Sequence, residues 1–338
     1  MNKFVLITVL ALSVIIVCTS CKADGKIDFD SLSSSSIIQG LTIDNYPKVD
    51  GSTSTEPLNA IIACKLFGIR YKWVPDYWNL QRIEPNLDKN DTDKFWRLIK
   101  SSQTHQSFIN LIDKKAELIL TARKMSPDEK AYADAAGVSL IETPIALDAL
   151  IFIVNSYNPI ESLTTKQIQD IYTGKITSWG NLGWNNVRWD PVEEVYYQPE
   201  IIPYVRNANS GSQELMETLV MKDWDITELP ENSYELIVRT MTGAIDRVFS
   251  VREAICYTVY YFKEYMVTGV DINSMAINGI YPDRGTISDK SYPYTAPVYA
   301  VIRSDLDKSS MAYTIYEWLQ TEAGKRVINE SGYVPYYE

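Results

Sequence analysis

The chain has 338 residues, too many for one ordinary hydrophobic core and enough for two lobes of usual domain size. Hydrophobic residues at 46% and charged residues at 22% describe a globular rather than a disordered polymer. The formal net charge of -11 argues against a nucleic-acid partner, which needs a basic stripe, but leaves room for a small anion held by a local nest of N–H donors.

Lys3 precedes an almost unbroken apolar run from Phe4 to Val17. A run of about 14 residues suits the h-region of a signal peptide and falls short of the roughly 20 that span a bilayer. Thr19 and Ser20 directly before Cys21 resemble a bacterial lipobox, with Cys18 standing where Leu is usual. Residues 1–20 are therefore expected to be a signal peptide and Cys21 the lipidated mature N-terminus. The chain would be exported and anchored to a membrane of the cell envelope, facing the periplasm or the exterior. Residues 21–40 are polar and serine-rich and read as a lipidated tether.

Order is expected from Leu41, where short apolar runs begin to alternate with helical patterns, as in an α/β protein. Gly51-Ser52-Thr53-Ser54-Thr55 leads into the first helix; Thr53 and Glu56 have capping-box spacing and Pro57 suits an early helical position. Residues 93–113 read as helical or mixed, 116–121 as a strand, and 126–136 as a helix opened by Ser126. The apolar run 145–154 predicts a strand crossing between lobes. A helix over 164–172 and a turn-rich stretch over 174–183 follow. The strand 201–206 runs into Asn207-Ala208-Asn209-Ser210-Gly211-Ser212, where Ser210 and Gln213 again have capping-box spacing. Residues 312–329 carry the pattern of one amphipathic terminal helix. Cys64 and Cys256 fall in separate apolar runs, which is neither a disulfide framework nor a metal cluster.

Two segments share one design: a strand, a turn of Gly, Ser and Thr, then a helix start. The first N–H groups of a helix have no internal partner and carry about half a positive charge between them. Hydroxyls add donors, and glycine permits close backbone approach. Arg206 precedes one turn and Arg123 sits at another strand end; a guanidinium is a planar fork suited to oxyanions. His105, the only histidine, has no nucleophile elbow around it, and neither a Walker loop nor Cys/His metal spacing occurs. No enzyme activity, cofactor or metal is expected. The 23 tyrosines leave an aromatic-lined carbohydrate or peptide site as the rival reading, but the clusters at 257–265 and 292–299 read as strand and interlobe packing.

Longer motifs carry a resemblance. GSTST at 51–55, NPIESLTTKQIQDIYTGKITSWGNLG at 158–183, RNANSGS at 206–212, INGIYPDRGTISDKSYPYTAPVY at 277–299 and SGYVPY at 331–336 resemble the phosphate-binding component of bacterial phosphate ABC importers, in the type II periplasmic binding protein superfamily. The resemblance covers about residues 43–338. It implies an α/β two-lobe fold with two crossover segments and a ligand cleft. Lobe one would take 41–144 plus 290–338, and lobe two 145–289. It implies phosphate or a related oxyanion as ligand, ABC permease subunits as partners and a monomeric state. The ligand would be held by Ser52, Thr53 and Ser54, by Thr121 and Arg123, and by Arg206, Asn209, Ser210, Gly211 and Ser212. Thr104, His105, Gln106 and Ser107 fall near a further contact loop. One departure bears on selectivity: Ala208 stands two residues after the arginine, where relatives carry an Asp that accepts the proton of hydrogen phosphate. Asn207 or Asn209 could substitute through an amide oxygen. A surface sensor or a carbohydrate- or peptide-binding lipoprotein on the same fold is the alternative function.

Overall fold

The computed structural model describes residues 37–337 apart from 77–79, 186–187, 191–194, 198, 223, 225 and 227–235. The signal segment, Cys21 and nearly all of the tether lie outside the described residues. The central sheet is built from β1 (Val49–Gly51), β2 (Leu118–Thr121), β3 (Leu140–Asn155), β4 (Ile202–Pro203), β5 (Ala254–Val259) and β6 (Thr295–Arg303), in the order β1-β2-β6-β3-β5-β4. The outer pairs β1–β2 and β5–β4 are parallel, while β2–β6, β6–β3 and β3–β5 are antiparallel.

β3 is the strand both lobes share. Leu140–Ala149 pairs with β6, and Leu150–Val154 pairs with β5 on the far side. From Ile145 onward every residue of β3 is buried, which is why the apolar run is continuous rather than alternating. The strand begins five residues earlier than the run because Leu140–Pro144, half-exposed and partly polar, still pairs with β6. β3 and β6 thus run side by side through the middle of the sheet. The cysteines sit in the core: Cys64 and Cys256 are fully buried free thiols, both pushed up to about 12 by burial. Tyr257, Tyr261, Tyr292 and Tyr294 are buried packing residues, as the strand patterns implied.

Several elements differ from the sequence reading for local reasons. Residues 93–113 form two helices, Lys89–Leu98 and α2 (Thr104–Ile112), interrupted where Ile99 bridges to Val49. The terminal segment is also two helices, Met311–Leu319 and Glu322–Glu330. Thr321 caps the second by accepting from the Gly324 N–H at 3.2 Å, and the Gly324 Cα packs onto the Trp318 carbonyl so tightly that a Cβ would stand 2.4 Å from it. The 201–206 strand splits at Tyr204: β4 pairs with β5, and Val205–Arg206 pairs instead with Ile237–Val238.

Asp148 lies in the crossover part of β3 and is 2% exposed. Its Oδ1 accepts from the N–H groups of Tyr261 at 3.0 Å and Ala149 at 2.8 Å, while Oδ2 has no partner among the described residues. Burial raises its pKa to about 7, the two N–H donors opposing. A carboxyl held above its unfolded value of 3.8 favours the folded state when protonated. Its contribution is present below about pH 4 and is lost as pH rises through about 7. Three units correspond to about 4 kcal/mol at most. Asp148→Asn should therefore abolish a fall in stability between about pH 4 and pH 7. Urea unfolding of both proteins across that range checks it: parallel curves would show that Asp148 is not the group responsible.

Candidate functional site

A cleft of about 430 Å³ opens where strands end. Ser52–Ser54 follows β1, Ala122 follows β2, Arg206 ends its strand and leads into Asn207–Ser212, and Val259 ends β5. Crevices outside the carboxyl ends of strands are where open α/β sheets hold ligands. Four helix starts meet there: the 3₁₀ turn Thr53–Thr55 leading into α1 (Glu56–Phe67), then α2, α4 (Gly211–Leu215) and α5 (Met241–Ser250), with α3 (Pro127–Ala136) behind the wall. Ser210 and Thr240 cap α4 and α5 with their own hydroxyls, but no side chain caps the turn after Ser52 or the start of α2. The Thr53–Glu56 capping box is not made, because the 3₁₀ turn shifts the helix start. Thr55 takes the cap position, and its Oγ1 donates to the carbonyls of Ser52 and Leu120.

Buried polar contacts fix the first wall. Ser52 Oγ lies 2.8 Å from Thr104 Oγ1 and accepts from the Ala122 N–H at 3.0 Å, so three lining segments meet on one hydroxyl. Asp50, 1% exposed, accepts from the Ser102 N–H at 2.8 Å and from Asn110 Nδ2 at 2.7 Å, which ties the 102 loop to β1. From the C-terminal tail, Tyr333 stacks on Tyr261 and donates to the Ser54 carbonyl at 3.0 Å. Gln103, just before α2, has φ 68 and ψ 164, a conformation that glycine adopts at no steric cost. Asn209, on the opposite wall, has φ 63.

Arg206 dominates the second wall. It is 5% exposed; Nε donates to the Val238 carbonyl at 2.9 Å and Nη1 to Ser212 Oγ at 3.0 Å. Among the described residues it has no carboxylate partner. Burial pushes its pKa down, with Cys256 and Tyr257 acting the other way. Its backbone N–H donates to Gln213 Oε1 and Tyr257 Oη, so Gln213 serves the arginine rather than closing a capping box with Ser210. A buried guanidinium in this state is an electrostatic deficit that an anion removes.

Arg123 is placed differently. It is 5% exposed, and its Nη atoms grip Glu129 at 2.7 and 2.8 Å. Nη2 also donates to the Asn209 carbonyl at 2.9 Å, and Asn209 Nδ2 donates to Asp128 at 3.1 Å. These bonds join the two walls. Thr121 Oγ1 donates to the Arg123 carbonyl. Of the residues singled out in the sequence, Ser52, Thr53, Ser54, Arg206, Asn209, Ser210, Gly211 and Ser212 line the cleft together; Thr121 and Arg123 do not. Thr104, His105 and Gln106 line it, and Ser107 is buried behind them. His105 Nδ1 lies 3.0 Å from Glu129 Oε1. The 240–242 segment was missed. Its signal was a threonine three residues before Gly243, common to any capped helix. Among the described residues no Tyr, Trp or Phe lines the cleft.

The PBP superfamily domain matches residues 84–321, well over half of the sequence. The chain belongs to the PBP superfamily. Among its relatives, the phosphate-binding protein PstS of Staphylococcus saprophyticus is 23% identical over 238 residues, 69% of each chain. PstS 2 of Streptococcus agalactiae is 33% identical over 84 residues, 25% of this chain and 27% of that one. Among solved structures, a substrate-binding protein of Clostridium perfringens with bound phosphate superposes with a TM-score of 0.60 at 20% identity, over 86% of this chain and 98% of that one. An ABC-type phosphate transport receptor from Vibrio cholerae gives 0.55 at 18% identity, over 85% and 98%. These likenesses establish that this PBP chain has the fold.

The Gln103 backbone offers a test of strain at this PBP cleft. Gln103→Gly should raise the unfolding free energy by about 1 kcal/mol, the lower end of the cost of such a conformation. Denaturant melts of the ligand-free protein check it; a loss of stability would mean that side-chain contacts outweigh the backbone cost.

Proposed function

We propose that this chain is an extracytoplasmic solute-binding protein that captures a small oxyanion, phosphate, and delivers it to the permease of an ABC importer. The observation that supports it most is Arg206, a buried cation without a carboxylate beside it among the described residues, set among hydroxyls and helix starts. The ligand would meet Arg206 and the segments Ser52–Ser54 and Ser210–Ser212. The PstS relatives and the phosphate-bound neighbour favour phosphate. The lipobox-like Cys21 favours a lipid anchor after signal cleavage, with the protein acting as a monomer on the outer face of the membrane.

Lobes of 41–144 plus 290–338 and of 145–289 fit a hinge inside the paired strands β3 and β6, since the 144/145 boundary falls within β3. Arg123 then acts through closure: it bonds the Asn209 carbonyl across the cleft, with its charge neutralised by Glu129. For the proton of hydrogen phosphate, Asn207 Oδ1 is the available acceptor. It is buried with no partner among the described residues, whereas Asn209 is oriented by its Nδ2, which donates to Asp128. No carboxylate lines the cleft among the described residues, so a fully ionised anion meets no repulsion there.

Calorimetry tests the reading. Wild-type protein should bind inorganic phosphate, and Arg206→Ala should lose about a hundredfold or more in affinity, the cost of a charge-assisted bidentate contact. Sulfate should bind within about tenfold of phosphate, in keeping with an amide rather than a carboxylate acceptor. Unchanged phosphate affinity in Arg206→Ala would refute the site.

A further inference from the structure

We infer that Asn209 is a positioning residue rather than a ligand contact: with Asp128 it clasps the two walls of the cleft, and through the clasp it sets the Ser210–Ser212 turn against Ser52–Ser54. That role rests on the reading of the cleft as an oxyanion site. Asn209 reaches the opposite wall with its backbone and with its side chain. The carbonyl accepts from Arg123 Nη2 at 2.9 Å, and Nδ2 donates to Asp128 Oδ2 at 3.1 Å. Its φ of 63 lies in the left-handed region, which asparagine enters at lower cost than most side chains.

The first wall is shaped to receive it. Ser126-Pro127-Asp128-Glu129 opens α3 with a capping box, in which the Ser126 N–H donates to Glu129 Oε2 at 2.8 Å. The two acids of that first turn then divide. Glu129, fully buried, takes the guanidinium of Arg123 on both oxygens, which fixes Nη2 toward the Asn209 carbonyl. Asp128 stands exposed and takes the Asn209 amide. Neither Arg123 nor Asp128 lines the cleft, so the clasp sits beside the site and not in it.

On the second wall, Asn209 is continuous with the binding turn. The Ser210 N–H donates to the Asn207 carbonyl at 3.2 Å, Ser210 caps α4, and Ser212 Oγ accepts from Arg206 Nη1 at 3.0 Å. Gly211 lies so close to Thr104 that a Cβ on it would stand 2.7 Å from Thr104 Oγ1, which itself lies 2.8 Å from Ser52 Oγ. A shift of Asn209 away from Asp128 therefore draws the donors of the second wall away from those of the first. An anion shared between walls needs both sets at hydrogen-bond distance, and a clasp that holds them there lowers the cost of ordering them on binding. A contact of this kind strengthens every oxyanion by the same factor. A direct amide contact would instead tell hydrogen phosphate, which has a proton to donate, from sulfate, which has none.

Calorimetry of the purified full-length protein with inorganic phosphate and with sulfate provides the test. Asp128→Ala and Asn209→Gly should each weaken phosphate binding about threefold to tenfold, as for one hydrogen bond to a charged group near solvent. The glycine keeps the left-handed backbone and the carbonyl that Arg123 holds, so only the side-chain arm of the clasp is lost. The double variant should bind no more weakly than the weaker single, and sulfate should lose the same factor as phosphate. Losses that multiply in the double variant, unchanged affinity in either single, or a loss in Asn209→Gly confined to phosphate would overturn the clasp and leave the anion site standing. Failure of the wild-type protein to bind either anion would overturn the oxyanion reading beneath it.

Discussion

A charge taken out of water without a counter-charge is the constraint on which the cleft depends. Arg206 is 5% exposed and has no carboxylate partner among the described residues. Burying an ion in this way costs several kcal/mol, and two neutral hydrogen bonds to Val238 and Ser212 recover only part of that. An anion at this place would remove the penalty. Fixed dipoles around a cleft that shuts out water would act on an anion more strongly than they would in bulk water. Arg123 shows the contrasting solution. Equally buried, it is neutralised in place by Glu129, and its remaining hydrogen bond joins the two walls. Two arginines that look alike in sequence thus carry different tasks, distinguished by which of them has an acid beside it.

The rest of the molecule holds donors in position around that charge. Asp50 ties the 102 loop to β1, Ser52 joins three lining segments, and Tyr333 brings the C-terminal tail against the Ser54 carbonyl. Tyr333 stacks on Tyr261, whose N–H is bound by Asp148 on the shared strand. β3 and the Ser52–Ser54 loop are therefore connected by direct contacts. A change in the twist of β3 and β6 has a short path to the site.

The α/β class, the glycine–hydroxyl turns at 51–55 and 206–212 and the buried run of β3 were legible in the sequence because each depends on neighbours in the chain: a glycine–hydroxyl turn before a helix, or a run buried on both faces. The 16-residue length of β3 was not, since its first five residues, Leu140–Pro144, are partly exposed and show no continuous apolar signal. The role of Arg123 depends on Glu129 and Asn209, the latter 86 residues away, and no local pattern announces either contact. Residues 104–106 could be placed only loosely and 240–242 were missed, because threonine before a helix is the commonest of caps and points to a ligand only when several such helix starts meet. Nor does the sequence tell Asn207 from Asn209: in the fold the Asn207 amide oxygen is buried without a partner among the described residues, and Asn209 donates through Nδ2 to Asp128.

The most direct measurement is a crystal structure of the protein grown with tungstate, whose anomalous scattering marks a tetrahedral oxyanion without ambiguity. The account predicts one strong anomalous peak in the cleft, within hydrogen-bond distance of the Arg206 guanidinium and flanked by Ser52–Ser54 and Ser210–Ser212. A cleft without a peak, or a peak held at Arg123 with Glu129 displaced, would contradict it.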